Sequence, residues 1–230
     1  GLLMEIASRP LPRDLAVKPA SPMAQMSAVV LAAGQSRRMG KINKLTAVVA
    51  GKPVIRHVVD TVLEAGFKDI VVVLGYDEQA VSACLEGLPV RFVKNEAFRS
   101  GQASSVSAGI AALDNNVSDV MVVLGDMPLL SAALLNNLHH HHMRNPQHEQ
   151  MISLPVCLKD RERQVGHPVI WGRQFFPDLQ ALTGDQGGRQ IWSDHPAIIN
   201  QMDVEDATLF LDTDTAEALR RAEVLLLGRN

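Results

Sequence analysis

Aromatic side chains are scarce in this sequence, with six Phe, two Trp and one Tyr among 230 residues. That leaves little material for stacking nucleic-acid bases. Net positive charge is also missing: 22 Lys and Arg against 25 Asp and Glu give −3, so no basic field attracts a polyanion. The two cysteines, Cys84 and Cys157, form no CxxC pair and no regular spacing. This favours a reducing cytoplasm over a disulfide framework. No apolar run reaches the roughly 18 residues of a membrane helix. Binding to nucleic acid or membrane is therefore not expected.

The length suffices for a domain that buries its own core. Residues 1–26 carry Pro10, Pro12, Pro19 and Pro22 and no apolar h-region. They read as an extension ahead of the domain rather than a signal peptide. From Ser27 onward, short apolar runs alternate with amphipathic stretches. Ala28–Leu31, Ile70–Leu74, Val90–Val93 and Val120–Leu124 are predicted strands. Pro53–Ala65, Glu78–Leu85 and Ala103–Leu113 have helical spacing, the first ending at Gly66. Continuous apolar strands separated by helices imply a mostly parallel sheet covered on both faces, a doubly wound α/β fold. After about residue 150 the alternation loosens. Met151–Val156, Val169–Trp171 and Ala197–Ile199 are strand candidates there, and a helix closes the chain. Ligands of such sheets lie beyond the carboxyl ends of the strands, so Gly34, Gly75 and Asp126 should face one crevice.

The first strand runs into Leu31-Ala32-Ala33-Gly34-Gln35-Ser36-Arg37-Arg38-Met39-Gly40-Lys41-Ile42-Asn43-Lys44. Small residues after a strand let backbone N–H groups approach phosphate. A P-loop needs four residues between its glycines and then Lys-Ser/Thr. Here five intervene, and Ile42 follows Lys41. The dinucleotide pattern GxGxxG is absent. Two readings of the four cations remain: a solvated basic loop, or a cradle in which Arg38 and Lys44 hold phosphate oxygens.

Two carboxylate positions add to the second reading. Asp126, in Gly125-Asp126-Met127-Pro128, ends a buried strand, where its charge is costly without a cation; a turn aspartate before proline fits equally. Magnesium takes one or two carboxylates together with substrate phosphates and water. Leu211-Asp212-Thr213-Asp214-Thr215 precedes the last helix, so Asp214 or Thr215 also suits a helix N-cap.

Leu-Ala-Ala-Gly-x-Ser-x-Arg-Met-Gly followed by Asn-Lys-Leu closely resembles the signature of the MobA-like nucleotidyltransferases of molybdenum cofactor synthesis. The resemblance runs from about residue 27 to the last helix, and is nearest to the cytidylyltransferase branch. It implies a Rossmann-like nucleotidyltransferase fold with mixed C-terminal additions, a nucleotide-binding part at about 27–130 and an acceptor-side part at about 131–230. It further implies that Leu31, Ala32, Ala33, Gly34 and Ser36 line the nucleotide, and that Arg38 and Lys44 act on its phosphates. Asp126 and Asp214 would hold Mg²⁺, with Asp212 structural. Ala33 stands where guanylyltransferases typically have glycine, which points to CTP.

Gly101-Gln102-Ala103-Ser104-Ser105 opens a helix, and serine capping explains it; the resemblance makes Gly101 and Ser104 or Ser105 candidates for the base. Gly166-His167-Pro168 and the stretch Gly184 to Arg189 read as turns. By resemblance they lie on the acceptor side, with His167 and Arg189 contacting a pterin and its phosphate. His139-His140-His141-His142 spreads around a helix, so at most two share a face. A solvated helix end is expected there.

The function the resemblance implies is Mg²⁺-dependent transfer of CMP from CTP to the phosphate of molybdopterin, with a client molybdoenzyme as a possible partner. The alternatives are GTP or another phosphorylated acceptor such as a sugar phosphate, and a non-catalytic cofactor binder.

Overall fold

The computed structural model describes residues 25–34, 43–185, 187–194 and 196–229. Residues 1–24 of the N-terminal extension and the Ser36 and Arg38 positions lie outside the described residues; Met26, placed in the extension by the sequence reading, instead opens the first strand.

Strand β1 (Met26–Ala32) is buried along its whole length. Its residues alternate between two cores, as the twofold period of a strand requires. Ala28, Val30 and Ala32 join one core and Val29 and Leu31 the other. A minimal hairpin, β2 (Val48–Val49) and β3 (Lys52–Pro53), leads into α1 (Val54–Glu64). The apolar stripe Ile55, Val58, Val59 and Val62 of α1 packs on the first core. Its other face carries the Arg56–Asp60 pair at 3.0 Å. Gly66, at φ +99°, follows the end of α1 in a backbone shape that glycine adopts without steric cost.

Strand β4 (Ile70–Leu74), α2 (Glu78–Ala83), β5 (Arg91–Lys94), α3 (Gln102–Ala111), β6 (Asp119–Leu124) and α4 (Ala132–Met143) follow. Helices α1, α2 and α4 contribute to the first core, α3 to the second, so the sheet is covered on both faces. The C-terminal part contains β7 (Ile152–Lys159), β8 (Glu162–Val165), β9 (Val169–Gly172), α5 (Phe176–Ala181), α6 (Arg189–Ser193), β10 (Ile199–Asp203) and α7 (Ala216–Leu227).

Among the described residues the main sheet runs β10-β7-β9-β6-β1-β4-β5, with β8 paired to β7. Strands β6, β1, β4 and β5 are parallel. Strand β9 enters antiparallel between β6 and β7, and β10 lies parallel to β7. The α/β, mostly parallel expectation therefore holds, mixed additions included. The Ala197–Ile199 candidate is displaced: Pro196–Ile198 forms a 3-10 turn and the strand is Ile199–Asp203.

The chain moves outward from β1 through β4 to β5, then returns to the other side of β1 with β6. This reversal opens a crevice beyond the carboxyl ends of β1 and β6. Among the described residues no helix is long and apolar enough to cross a membrane.

Candidate active site

A cleft of about 390 Å³ occupies that crevice. Ala33 and Gly34 from the end of β1 line one side, and Gly125 and Asp126 from the end of β6 line the floor. Close approach of these two strand ends depends on Gly125. Its amide donates to the Leu31 carbonyl at 3.0 Å, and a Cβ there would lie 2.6 Å from that oxygen.

Lys44 is set by its neighbour Asn43. The buried Asn43 accepts from the Leu45 amide at 3.0 Å and donates to Asp77 at 3.1 Å, fixing the turn that aims Lys44 into the cleft. The Lys44 ammonium donates to Asp126 Oδ2 at 2.9 Å and to Asp214 Oδ1. Asp214 is brought there by the preceding residue: Thr213, fully buried, bonds back to the Asp126 carbonyl. The helix-cap alternative is resolved by Thr215, whose hydroxyl caps α7 by accepting from the Ala218 amide at 3.1 Å. Asp212 is exposed and accepts from the Asp214 amide.

Among the described residues one ammonium meets two carboxylates here, with a third nearby. Burial opposes the charge on Lys44, but Asp126 and Asp214 outweigh it and raise its pKa. Burial raises the Asp126 pKa; Lys44 opposes that rise, and the like charges of Asp214 and Asp212 add to it. Asp126 Oδ1 is moreover buried without a hydrogen-bond partner among the described residues. A buried carboxylate oxygen with no partner among the described residues, beside a second carboxylate, fits a hard divalent cation, which takes oxygen ligands.

The opposite wall carries residues that the sequence reading missed. Arg99, over the Phe98 ring at 5.4 Å, lines the cleft together with Gln102 and Asp185. In sequence they are an ordinary loop arginine, a helix-start glutamine and a turn aspartate; only tertiary folding unites them. Gly101 is required by its φ of +119° and by the Gly184 carbonyl, which occupies the space a Cβ would need. Ser105 is buried and lines the cleft. Ser104 is turned to its own loop, donating toward the Ala97 and Gly101 carbonyls at 3.0 and 2.7 Å and accepting from Asn95 at 2.8 Å. Ala32 is buried beneath the site, Leu31 reaches its wall, and Gly75 packs behind it against Phe98.

His167 and Arg189 do not reach the main cleft. They line a neighbouring cavity of about 220 Å³ that shares Leu31, Gln102 and Leu124 with it. Stacked Trp171 and Trp192, with centroids 6.0 Å apart, form an aromatic wall there. Burial pushes the His167 pKa down to about 4, and its Nδ1 has no hydrogen-bond partner among the described residues.

The solvated histidine run is corrected. His139 and His142 share the inner face of α4 and are buried, while His140 is exposed. His142 is held between Ser153 and Asp119 at 2.6 and 2.7 Å.

A parallel sheet with a carboxylate-lined, lysine-bearing cleft at its reversal point fits the nucleotidyltransferase class. The chain matches the MobA-like NTP transferase domain over residues 28–199 and belongs to that family. A nicotine blue oxidoreductase of Paenarthrobacter nicotinovorans is 29% identical over 85% of this chain and 95% of its own. The chain also matches bifunctional GlmU proteins but spans only part of them, 29% of the Syntrophomonas wolfei protein. A nucleotidyl transferase from Methanothermobacter shares the fold at TM-score 0.77 and 23% identity, covering 90% of this chain and all of the other. Rv0371c of Mycobacterium tuberculosis in complex with manganese superimposes at TM-score 0.68 and 25% identity, covering 86% of this chain and 96% of the other.

Proposed function

We propose that this protein is a magnesium-dependent cytidylyltransferase that moves CMP from CTP to the phosphate of molybdopterin and releases pyrophosphate. The observation that carries the reading is the convergence of Asp126 and Asp214 on Lys44 at the cleft floor. Asp126 and Asp214 would hold the cation, which would supply positive charge against the phosphates. Manganese in the Rv0371c complex supports a divalent ion in this fold.

The chain's own residues then have defined tasks. Lys44 stabilises negative charge gathering on the departing pyrophosphate. Ala33 and Gly34 line the nucleotide side of the cleft, with Gly101 and Ser105 on the opposite wall. Arg38 contacts the phosphates in this proposal, Ser36 belongs to the same nucleotide loop, and Ala33 in the Leu-Ala-Ala-Gly motif favours CTP. The neighbouring cavity takes the acceptor: its stacked tryptophans suit a planar heterocycle, Arg189 its phosphate, and uncharged His167 a hydrogen bond to the ring.

The acceptor phosphate oxygen forms a bond to the α-phosphorus as the α–β phosphoanhydride bond breaks, and the electron pair leaves on pyrophosphate. The nucleophile is already anionic, so no general base is needed; positioning and charge stabilisation carry the rate. Replacing Asp126 with Ala should lower CTP-dependent pyrophosphate release by about 10²–10³. Near-normal turnover in a folded Asp126→Ala variant would reject the metal assignment.

The oxidoreductase name of one relative motivates a second assay, for electron transfer to a dye, on the same preparation. Dye turnover without pyrophosphate release would favour that reading, and tight cofactor binding with neither activity would favour a carrier. A reducing cytoplasm is the expected compartment, and delivery to a client molybdoenzyme the expected onward step.

A further inference from the structure

We propose that Asp119, His142 and His148 form a binding site for a zinc-class divalent metal ion at the end of the sheet opposite the nucleotide cleft. Asp119 begins β6 and Asp126 follows its end, so the two sites are separated by roughly 20 Å of extended strand. Asp119 and His142 have no solvent exposure, and His148 is 18% exposed. His142 lies in the last turn of α4 and His148 in the 3-10 turn His148–Gln150.

The donor set is that of a transition-metal site, drawn together at hydrogen-bond spacing. Asp119 Oδ1 is 2.7 Å from His142 Nε2, and Asp119 Oδ2 is 2.7 Å from His148 Nδ1. One ligand atom from each residue lies within 4.8 Å of the other two. Tetrahedral zinc, bound at about 2.0–2.1 Å, holds its ligands about 3.3 Å apart, so a small outward movement of the imidazoles admits the ion. Two nitrogens and one oxygen favour zinc over magnesium or calcium. The supporting contacts also fit. Ser153 Oγ lies 2.6 Å from His142 Nδ1, orienting the ring from behind, and Ser118 Oγ donates to Asp119 Oδ2 at 2.6 Å. A fully buried carboxylate is costly unless positive charge meets it. Among the described residues its ion-pair partners are the two imidazoles alone. The ion compensates that charge and pins α4 and the turn after it to β6. The partly exposed His148 side provides the entry and leaves the fourth position to water.

The 230-residue chain, stripped with chelator and carrying Asp126→Asn to silence the cleft, is titrated with Zn²⁺ by calorimetry. One equivalent is expected, unchanged by His140→Ala with His141→Ala. His148→Gln keeps a hydrogen-bond donor near Asp119 but no imidazole, and should weaken zinc at least about 10-fold. X-ray absorption on the Asp126→Asn protein should find two imidazole nitrogens on zinc. Absence of zinc uptake at micromolar concentration, uptake insensitive to His148→Gln, or a zinc spectrum without two imidazoles would overturn the site. A misfolded His148→Gln leaves the absorption spectrum to decide.

Discussion

Thr213 donates from both its backbone amide and its hydroxyl to the backbone carbonyl of Asp126, at 3.0 and 3.2 Å. This pair of hydrogen bonds between the start of the C-terminal segment and the end of β6 places the two cleft carboxylates on one lysine. Thr213→Val removes the hydroxyl contact and keeps the shape. A loss of about 0.5–1.5 kcal/mol in stability is expected. Divalent-metal affinity should fall about 10–100-fold, as for other residues that orient a ligand from behind. Urea unfolding and metal titration of the same variant check both.

Asp126, the proposed metal ligand, is held at a structural cost. Its folded pKa is raised, so the native state binds more protons than the unfolded chain across a window that begins at the ordinary value of 3.8 and extends upward. In that window stability of the metal-free protein falls as pH rises. Asp126→Asn should therefore unfold later than wild type at neutral pH without metal, by about 0.5–2 kcal/mol, while losing transferase activity. Thermal unfolding in chelator, set beside pyrophosphate release, reads the trade. A destabilised, active variant would contradict it.

His167 works in the opposite direction. Burial lowers its pKa from 6.5 to about 4, so the unfolded chain binds the extra proton between those values. Its contribution to stability is present above about pH 6.5 and is lost as pH falls toward about 4. His167→Gln should flatten the acid side of a stability–pH curve measured by denaturant midpoint. If His167 lies on the acceptor side, the same variant should change KM for the acceptor more than KM for the nucleotide.

Both adjacent serines accept from Asn95, at 2.8 Å for Ser104 and 3.0 Å for Ser105, but they differ in what else they touch. Ser105 lines the cleft, whereas Ser104 holds the 97–104 loop through Ala97, Gly101 and Asn95. Ser105→Ala should alter the nucleotide KM and, through the lost Asn95 bond, cost about 1 kcal/mol. Ser104→Ala should cost about 1 kcal/mol with little change in nucleotide preference. Steady-state kinetics across three triphosphates, together with unfolding curves, tell them apart.

Strands β1, β4 and β6 were legible because a strand buried on both faces is written as an unbroken apolar run. Strand β8 was not: Glu162-Arg163-Gln164-Val165 is exposed throughout and depends on pairing with β7. Strand β10 is a half-exposed edge, and its neighbouring apolar residues drew the expectation two positions early. The lysine and two aspartates stand 82 and 170 residues apart in pairs, so motif resemblance, not spacing, linked them. His139 and His142 misled in the other direction. Polarity alone argued for solvent, and what buries His142 is an aspartate 23 residues earlier and a serine 11 residues later.

The most direct test is pyrophosphate release from CTP, GTP and ATP, with magnesium and molybdenum-loaded molybdopterin as acceptor, by wild type and Asp126→Ala. The account predicts acceptor-dependent release that is greatest with CTP and about 10²–10³ lower in the variant. Release greatest with GTP, turnover with a sugar phosphate but not with molybdopterin, or an Asp126→Ala protein as active as wild type would contradict it.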